Sequence, residues 1–208
     1  MKKNITFPSK EEAEKLLAWA SKQNPGPWTE HSRVAARVAE TIAQKCGLDV
    51  ERAYVSGLLH DIGYYSYRDG KSERDHIFAG YDLMMEKGYD DVAKICLSHS
   101  FPYQDIRALA SSYINCDGED MAFITKFLAE TVYNEYDKLV QLCDSLCLPH
   151  GVVTLEKRLM EVVMRKGFGS FTLEKWDAWF ALKDYFDNVC NMNIYNLFYN
   201  EIETSIFG

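Results

Sequence analysis

No apolar run in this chain approaches the ~18 residues that a membrane-spanning helix needs. Its first residues, Met1-Lys2-Lys3, are basic, but Asn4 to Lys15 is polar and lacks the apolar core of a secretion signal. A cytoplasmic location is therefore the expectation. Positive charge is short as well: 23 Lys and Arg stand against 31 Asp and Glu, a formal net charge of -8. Non-specific nucleic-acid binding relies on Lys and Arg to displace counterions, so it is not expected here, and neither is an anionic membrane as partner. Sustained strand-like alternation, internal repeats and low-complexity tracts are missing, and no linker divides the 208 residues. Histidine is scarce, at five residues, so its placement carries information.

What the chain does have is helical periodicity almost throughout. Val34, Ala35, Val38 and Ile42 share one helix face that opens at His31. Asn24-Pro25-Gly26-Pro27 punctuates the chain ahead of that helix, Thr29 is the predicted N-cap, and Cys46-Gly47 ends it. A second helix is predicted from about Val50 to Ile62, stopping at Gly63. Residues 63 to 75 then read as a loop, with Arg68-Asp69-Gly70-Lys71 as a tight turn. Further helices are predicted over about 76–87, 90–99, 119–131, 134–148, 152–167, 172–190 and 193–202, with one short helix around Ile106 to Ala110. A hydrophobic fraction of 47% is ordinary for a globular protein. The expectation is a single all-α domain over residues 1–208. Cys46, Cys96, Cys116, Cys143, Cys147 and Cys190 sit mostly in apolar helical patterns and are predicted to be reduced core residues.

Four of the five histidines, with two aspartates, form an ordered set: His31, His60 followed at once by Asp61, His76, His99 and Asp144. Imidazole and carboxylate are ligands for Zn, Fe, Mn, Co and Ni. Asp144 lies inside the apolar run Leu139-Val140-Gln141-Leu142-Cys143-Asp144-Ser145-Leu146, where a buried carboxylate calls for a cation or hydrogen-bond donors. In Leu58-Leu59-His60-Asp61-Ile62-Gly63 the chain resembles the HD superfamily of metal-dependent phosphohydrolases, named for that His-Asp doublet. The ordered set is that of superfamily members with a two-metal site.

The resemblance covers residues 28 to 148 and implies an HD-type helical bundle, leaving 149–208 as a C-terminal helical extension packed on it. It further implies a divalent transition metal, with two ions drawn from Fe, Mn, Zn, Co or Ni. His31, His60, Asp61 and Asp144 would hold the first, and His76 and His99 the second. Asp61 would bridge them as the catalytic carboxylate beside a metal-activated water; ions ~3.5–4 Å apart lie within one carboxylate's span. Single-metal relatives exist, so one ion is the alternative. Ala53 and Gly57, at helical spacing before His60, would admit a close neighbouring helix. His150 matches no ligand position and is read as a loop residue, and Cys143 and Cys147 are read as core. Asp137 is either a carboxylate supporting the site or half of a surface ion pair.

The implied reaction is hydrolysis of a small phosphorylated or nucleotide substrate. Arg68, Lys71 and Arg74, between two ligand segments, are the candidate phosphate contacts. Ser98-His99-Ser100-Phe101-Pro102 lacks the extra histidine pair of the cyclic-dinucleotide branch. A di-iron oxygenase uses the same ligands but commonly carries a Lys where this chain has Phe101, Pro102 and Tyr103; it stands as the first alternative, and a non-catalytic ligand-binding HD domain as the second. The aromatics Phe168, Phe171, Trp176, Trp179, Phe180, Tyr185 and Phe186 are read as helix packing, with a homodimer interface as their other use.

Overall fold

Two glycines sit against neighbouring backbone too closely for any side chain, and both flank the His60-Asp61 doublet. The computed structural model describes residues 6–72, 74–109 and 117–207. In it α2 (Trp28–Cys46) lies along α3 (Val50–Leu59). A Cβ on Gly57 would come within 2.8 Å of the Ala35 carbonyl oxygen, so the small side chains predicted on this face do admit the neighbour. A Cβ on Gly63 would come within 1.8 Å of the His76 carbonyl oxygen, at the start of α4 (His76–Glu86). The doublet is thereby clamped between the helix that carries His31 and the one that carries His76.

Among the described residues the architecture is all-α, with ten α-helices and one two-stranded sheet. The remaining helices are α1 (Lys10–Gln23), α5 (Asp90–Ser98), α6 (Gly118–Glu130), α7 (Glu135–Asp144), α8 (Leu155–Lys166), α9 (Thr172–Cys190) and α10 (Tyr199–Phe207). One core joins α2, α3 and α7 to the C-terminal helices through Leu139, Leu142, Trp179, Phe186 and Phe198, all buried. A second packs α1 against α2, α3 and α5, and a third joins α4, α5 and α6 through Phe78, Phe101 and Ile124. Bonds from the Trp179 indole to the Gln141 carbonyl (3.2 Å) and from Arg37 to both carboxylate oxygens of Glu201 (2.8 and 2.7 Å) fasten the C-terminal helices down. No described helix is long and apolar enough to cross a membrane.

Several local expectations shift. The N-cap of α2 is Pro27, and its carbonyl accepts from the His31 N–H at 3.0 Å. Proline suits a helix start because its missing N–H would be unpaired there anyway. Thr29 lies inside the first turn, its hydroxyl buried without a hydrogen bond. α3 stops at Leu59, and the chain continues as a 3-10 turn over Ile62–Ser66, a tighter path under α4. The Arg68–Lys71 turn forms as predicted, with reciprocal backbone bonds of 2.7 and 3.0 Å and Asp69 and Gly70 at positive φ. α7 ends at Asp144, and its predicted last turn becomes β1 (Cys147–Leu148), paired antiparallel with β2 (Gly151–Val152). His150 sits in the turn between these strands.

The cysteines need a correction. Cys46 and Cys190 form a disulfide, because the C-terminal ends of α2 and α9 meet with their Cα atoms 4.8 Å apart. Cys96, Cys143 and Cys147 are free and buried, while Cys116 lies outside the described residues, as does Ala110 of the predicted short helix. Asp137 is neither on the surface nor in the site. It is a buried carboxylate paired with Lys94 at 2.5 Å, and it completes a capping box with Asn134.

Candidate metal centre

Helix ends and backbone carbonyls aim the ligand candidates. His31 occupies the first turn of α2, held by the bond to Pro27. His60 closes α3, and its Nδ1–H donates to the Gly57 carbonyl at 2.8 Å. His99 closes α5, and its Nδ1–H donates to the Cys96 carbonyl at 2.9 Å. A carbonyl can only accept, so each of these rings carries a proton on Nδ1 and directs Nε2 inward. His76 opens α4, its Nδ1 2.7 Å from the Asp75 carboxylate and its ring stacked on Tyr64 with centroids 4.3 Å apart. Asp75 also caps that helix through the Ile77 N–H. The sequence reading passed Asp75 over, although an aspartate directly before a ligand histidine at a helix start was its visible signal.

The four histidines converge on Asp61. Its Oδ2 faces Nε2 of His60 at 3.4 Å and of His31 at 3.8 Å. Its Oδ1 faces Nε2 of His76 at 3.2 Å and of His99 at 3.5 Å. Asp144 Oδ1 lies 2.9 Å from His31 Nε2 and 3.8 Å from His60 Nε2. Among the described residues, His31, His60 and Asp144 form one cluster with metal-binding spacing, and His60, Asp61 and His99 form another.

Protonation follows from this crowding. Burial would raise Asp61, but His60 and His76 hold it well below the usual carboxylate range. Burial opposes Asp144 likewise, and His31 and His60 overcome it. Burial disfavours charge on His60, yet Asp61 and Asp144 hold it well above the ordinary imidazole value. His76 is subject to the same burial, outweighed by bonds to Asp61 and Asp75, and sits at about 9. His99 moves the other way, to about 4, pushed by burial and then by the charge on His60.

These residues fit a divalent transition metal. The His60 Nε2 is buried without a hydrogen-bond partner while it points at two carboxylates. Ionised carboxylates and imidazoles whose second nitrogen is anchored are the donors such ions select.

The centre forms the floor of a cleft of about 480 Å³, walled on the other side by α8 through Arg158, Glu161, Arg165 and Lys166. Residues 158, 161 and 165 share one helix face, while Leu155 and Leu159 are buried on the neighbouring one. Glu161 pairs with both arginines, at 2.9 Å to Arg165. These cations escaped the sequence reading, which sought them in the loop between ligands. The loop cations expected to contact phosphate line a different cleft. Arg68 donates to the Tyr65 and Tyr67 carbonyls at 2.8 and 2.7 Å, and Arg74 is held by Asp120 at 2.5–2.9 Å and by Asp82. With Lys71 they line a separate surface cleft that includes none of the ligand candidates. His150 lines another groove beside Lys157 and Glu201. Cys143 and Cys147 are buried thiols pushed up by desolvation, in keeping with a core role.

A buried His/Asp cluster on an all-α bundle defines a metal-binding helical protein, and comparison with known proteins gives the class its name. The HD domain family model matches residues 28–148, more than half of the chain, and this protein belongs to the HD domain family. A stretch of 62 residues, 30% of the chain, is 37% identical to ribonuclease Y of Mesoplasma florum and spans 12% of that protein. A stretch of 67 residues, 32% of the chain, is 34% identical to ribonuclease Y of Mycoplasma capricolum and spans 13% of it. The chain thus aligns with only a small part of these relatives. No solved structure matches.

Proposed function

We propose that this protein is a metal-dependent phosphohydrolase acting on a small phosphorylated or nucleotide substrate. In this reading two divalent ions would be held, one by His31, His60, Asp61 and Asp144, the other by Asp61, His76 and His99. The observation that carries it is the division of Asp61, whose two oxygens each address a different pair of imidazole nitrogens at 3.2 to 3.8 Å. A carboxylate serving one ion has no need of a second nitrogen pair. When bound, such ions lower the pKa of water and offset charge on a phosphoryl oxygen.

The chain's own residues do the remaining work. The Gly57 and Cys96 carbonyls and the Asp75 carboxylate hold the His60, His99 and His76 rings in orientation. Arg158, Arg165 and Lys166 face the ligand set across the cleft and take the phosphate oxygens, arginine through its planar fork. Trp28 and Tyr64 line the cleft and exclude water on the side of His31 and His76.

The test is metal analysis of anaerobically purified protein, then a panel of phosphomonoesters, nucleotides and, given the likeness to the two ribonucleases, a short RNA. Phosphate or nucleotide should be released without oxygen in the presence of Mn, Co or another non-iron metal, and Asp61→Ala should abolish it. Protein that binds no transition metal even after reconstitution would end the metalloenzyme reading. Strict dependence on iron and dioxygen would replace hydrolysis with oxidation.

A further inference from the structure

Behind the basic wall of the metal cleft, a more enclosed pocket of about 150 Å³ lies between α8 and α9. Ser100 and Asp144 join the two spaces, and Arg158, Arg165 and Lys166 line both. The far side belongs to α9, with Lys175, Trp176 and Trp179. The Lys175 Nζ lies 5.1 Å from the centre of the Trp179 ring.

Four cations thus meet in one small pocket of a chain whose net charge is -8. Among the described residues, the only carboxylate lining the pocket itself is Asp144, a member of the ligand set. Glu161 answers Arg158 and Arg165 from the cleft side, and Lys166 makes no ion pair among the described residues. Burial and the charge of Lys166 bring Lys175 down to about 8, so the two ammonium groups feel each other. Convergent like charges around an enclosed space are stabilised by an anion placed between them. A dianion that can accept from two arginine forks gains more there than a carboxylate does.

We infer that this pocket is a subsite for a second phosphoryl group of the substrate, so that the protein acts on bisphosphorylated small molecules. The inference rests on the hydrolytic reading above and deepens it. One phosphate meets the metal ligands while the other reaches through the Ser100–Asp144 opening to Lys166 and Lys175. Trp176, Trp179 and Leu159 line the space around that second group. The small volume suits a terminal group rather than a strand passing through.

Two measurements on the full chain test this. In the first, the Mn-loaded protein is given a pentose monophosphate and the corresponding bisphosphate, as wild type, Lys175→Gln and Lys175→Arg. Wild type should favour the bisphosphate, Lys175→Gln should cut that preference roughly tenfold through KM, and Lys175→Arg should restore most of it. No preference in wild type, or a loss equal for both substrates in Lys175→Gln, overturns the subsite. In the second, calorimetry follows pyrophosphate binding to metal-free protein. Binding weakened roughly tenfold by Lys175→Gln supports the subsite even if no phosphoester is hydrolysed, which would sink the hydrolytic reading alone. Equal binding by wild type and Lys175→Gln, or none by either, overturns it.

Discussion

Gly63→Ala is a one-atom change whose consequences can be worked out in advance. The added Cβ would stand 1.8 Å from the His76 carbonyl oxygen, 2.5 Å from the Gly80 nitrogen and 2.7 Å from the His76 carbonyl carbon. All three are backbone atoms, so no side chain can swing aside. To restore even a 3.0 Å contact in place of 1.8 Å, the start of α4 must retreat by about 1.2 Å. Metal–ligand distances tolerate only about 0.2 Å, so a shift of this size would remove His76 from the second ion of the proposed pair. The same overpacking should destabilise the fold by roughly 1–3 kcal/mol, or roughly 2–12 °C in Tm for a chain of this size. The assay is metal stoichiometry by mass spectrometry together with a thermal melt. Stoichiometry should fall from about two toward one, with His31, His60 and Asp144 still loaded. A Gly63→Ala protein with full metal content and unchanged Tm would refute the idea that this contact sets the geometry of the second ion.

Arg158→Gln or Arg165→Gln should lower kcat/KM on a phosphoester by roughly tenfold to a hundredfold, the worth of a charge-assisted bond. Arg68→Gln, whose guanidinium donates to the Tyr65 and Tyr67 carbonyls of its own loop, should change it less than about twofold; the reverse ranking would return phosphate binding to the loop. Replacing both Cys46 and Cys190 with Ser releases a tie across 144 residues of sequence and should reduce stability by roughly 2–5 kcal/mol. Denaturant titration against the oxidised wild type checks this, and coincident curves would mean that the tie contributes nothing. Metal affinity should rise with pH, because in the metal-free protein His76 holds its proton up to about 9 and an incoming ion must displace it. Calorimetry in buffers of different ionisation enthalpy should show proton release at neutral pH, and an affinity flat from about pH 6 to 9 would contradict it. The metal-free fold carries the complementary signature. The His76 value lies above the unfolded ~6.5, so its stabilisation is complete below that pH and is lost as pH rises through about 9.

Local physics made part of this protein legible without coordinates. Helix periodicity is written in neighbours three and four residues apart, so α2, α4, α5, α9 and the Arg68–Lys71 turn could be read directly. The His60-Asp61 doublet and the order of the other ligand candidates are properties of the chain itself, as is its acidic balance. Small residues before His60 marked a close helix approach, and Ala35 supplies it.

What tertiary structure alone decided is what depends on distant partners. Arg68, Lys71 and Arg74 are adjacent in sequence to ligands, but carbonyls and the carboxylates of Asp82 and Asp120 hold Arg68 and Arg74 away from the cleft. Arg158 and Arg165 reach the site because Leu155 and Leu159 are buried on the neighbouring face of α8 and set its rotation, and Lys166 joins them from the last turn of that helix. The meeting of Cys46 with Cys190 required two helix ends 144 residues apart to coincide. The split of Asp61 between two nitrogen pairs required four segments to arrive at one carboxylate. A sequence specifies which groups can bind or pair, but which of them share a space is set by how amphipathic helices turn their apolar faces inward.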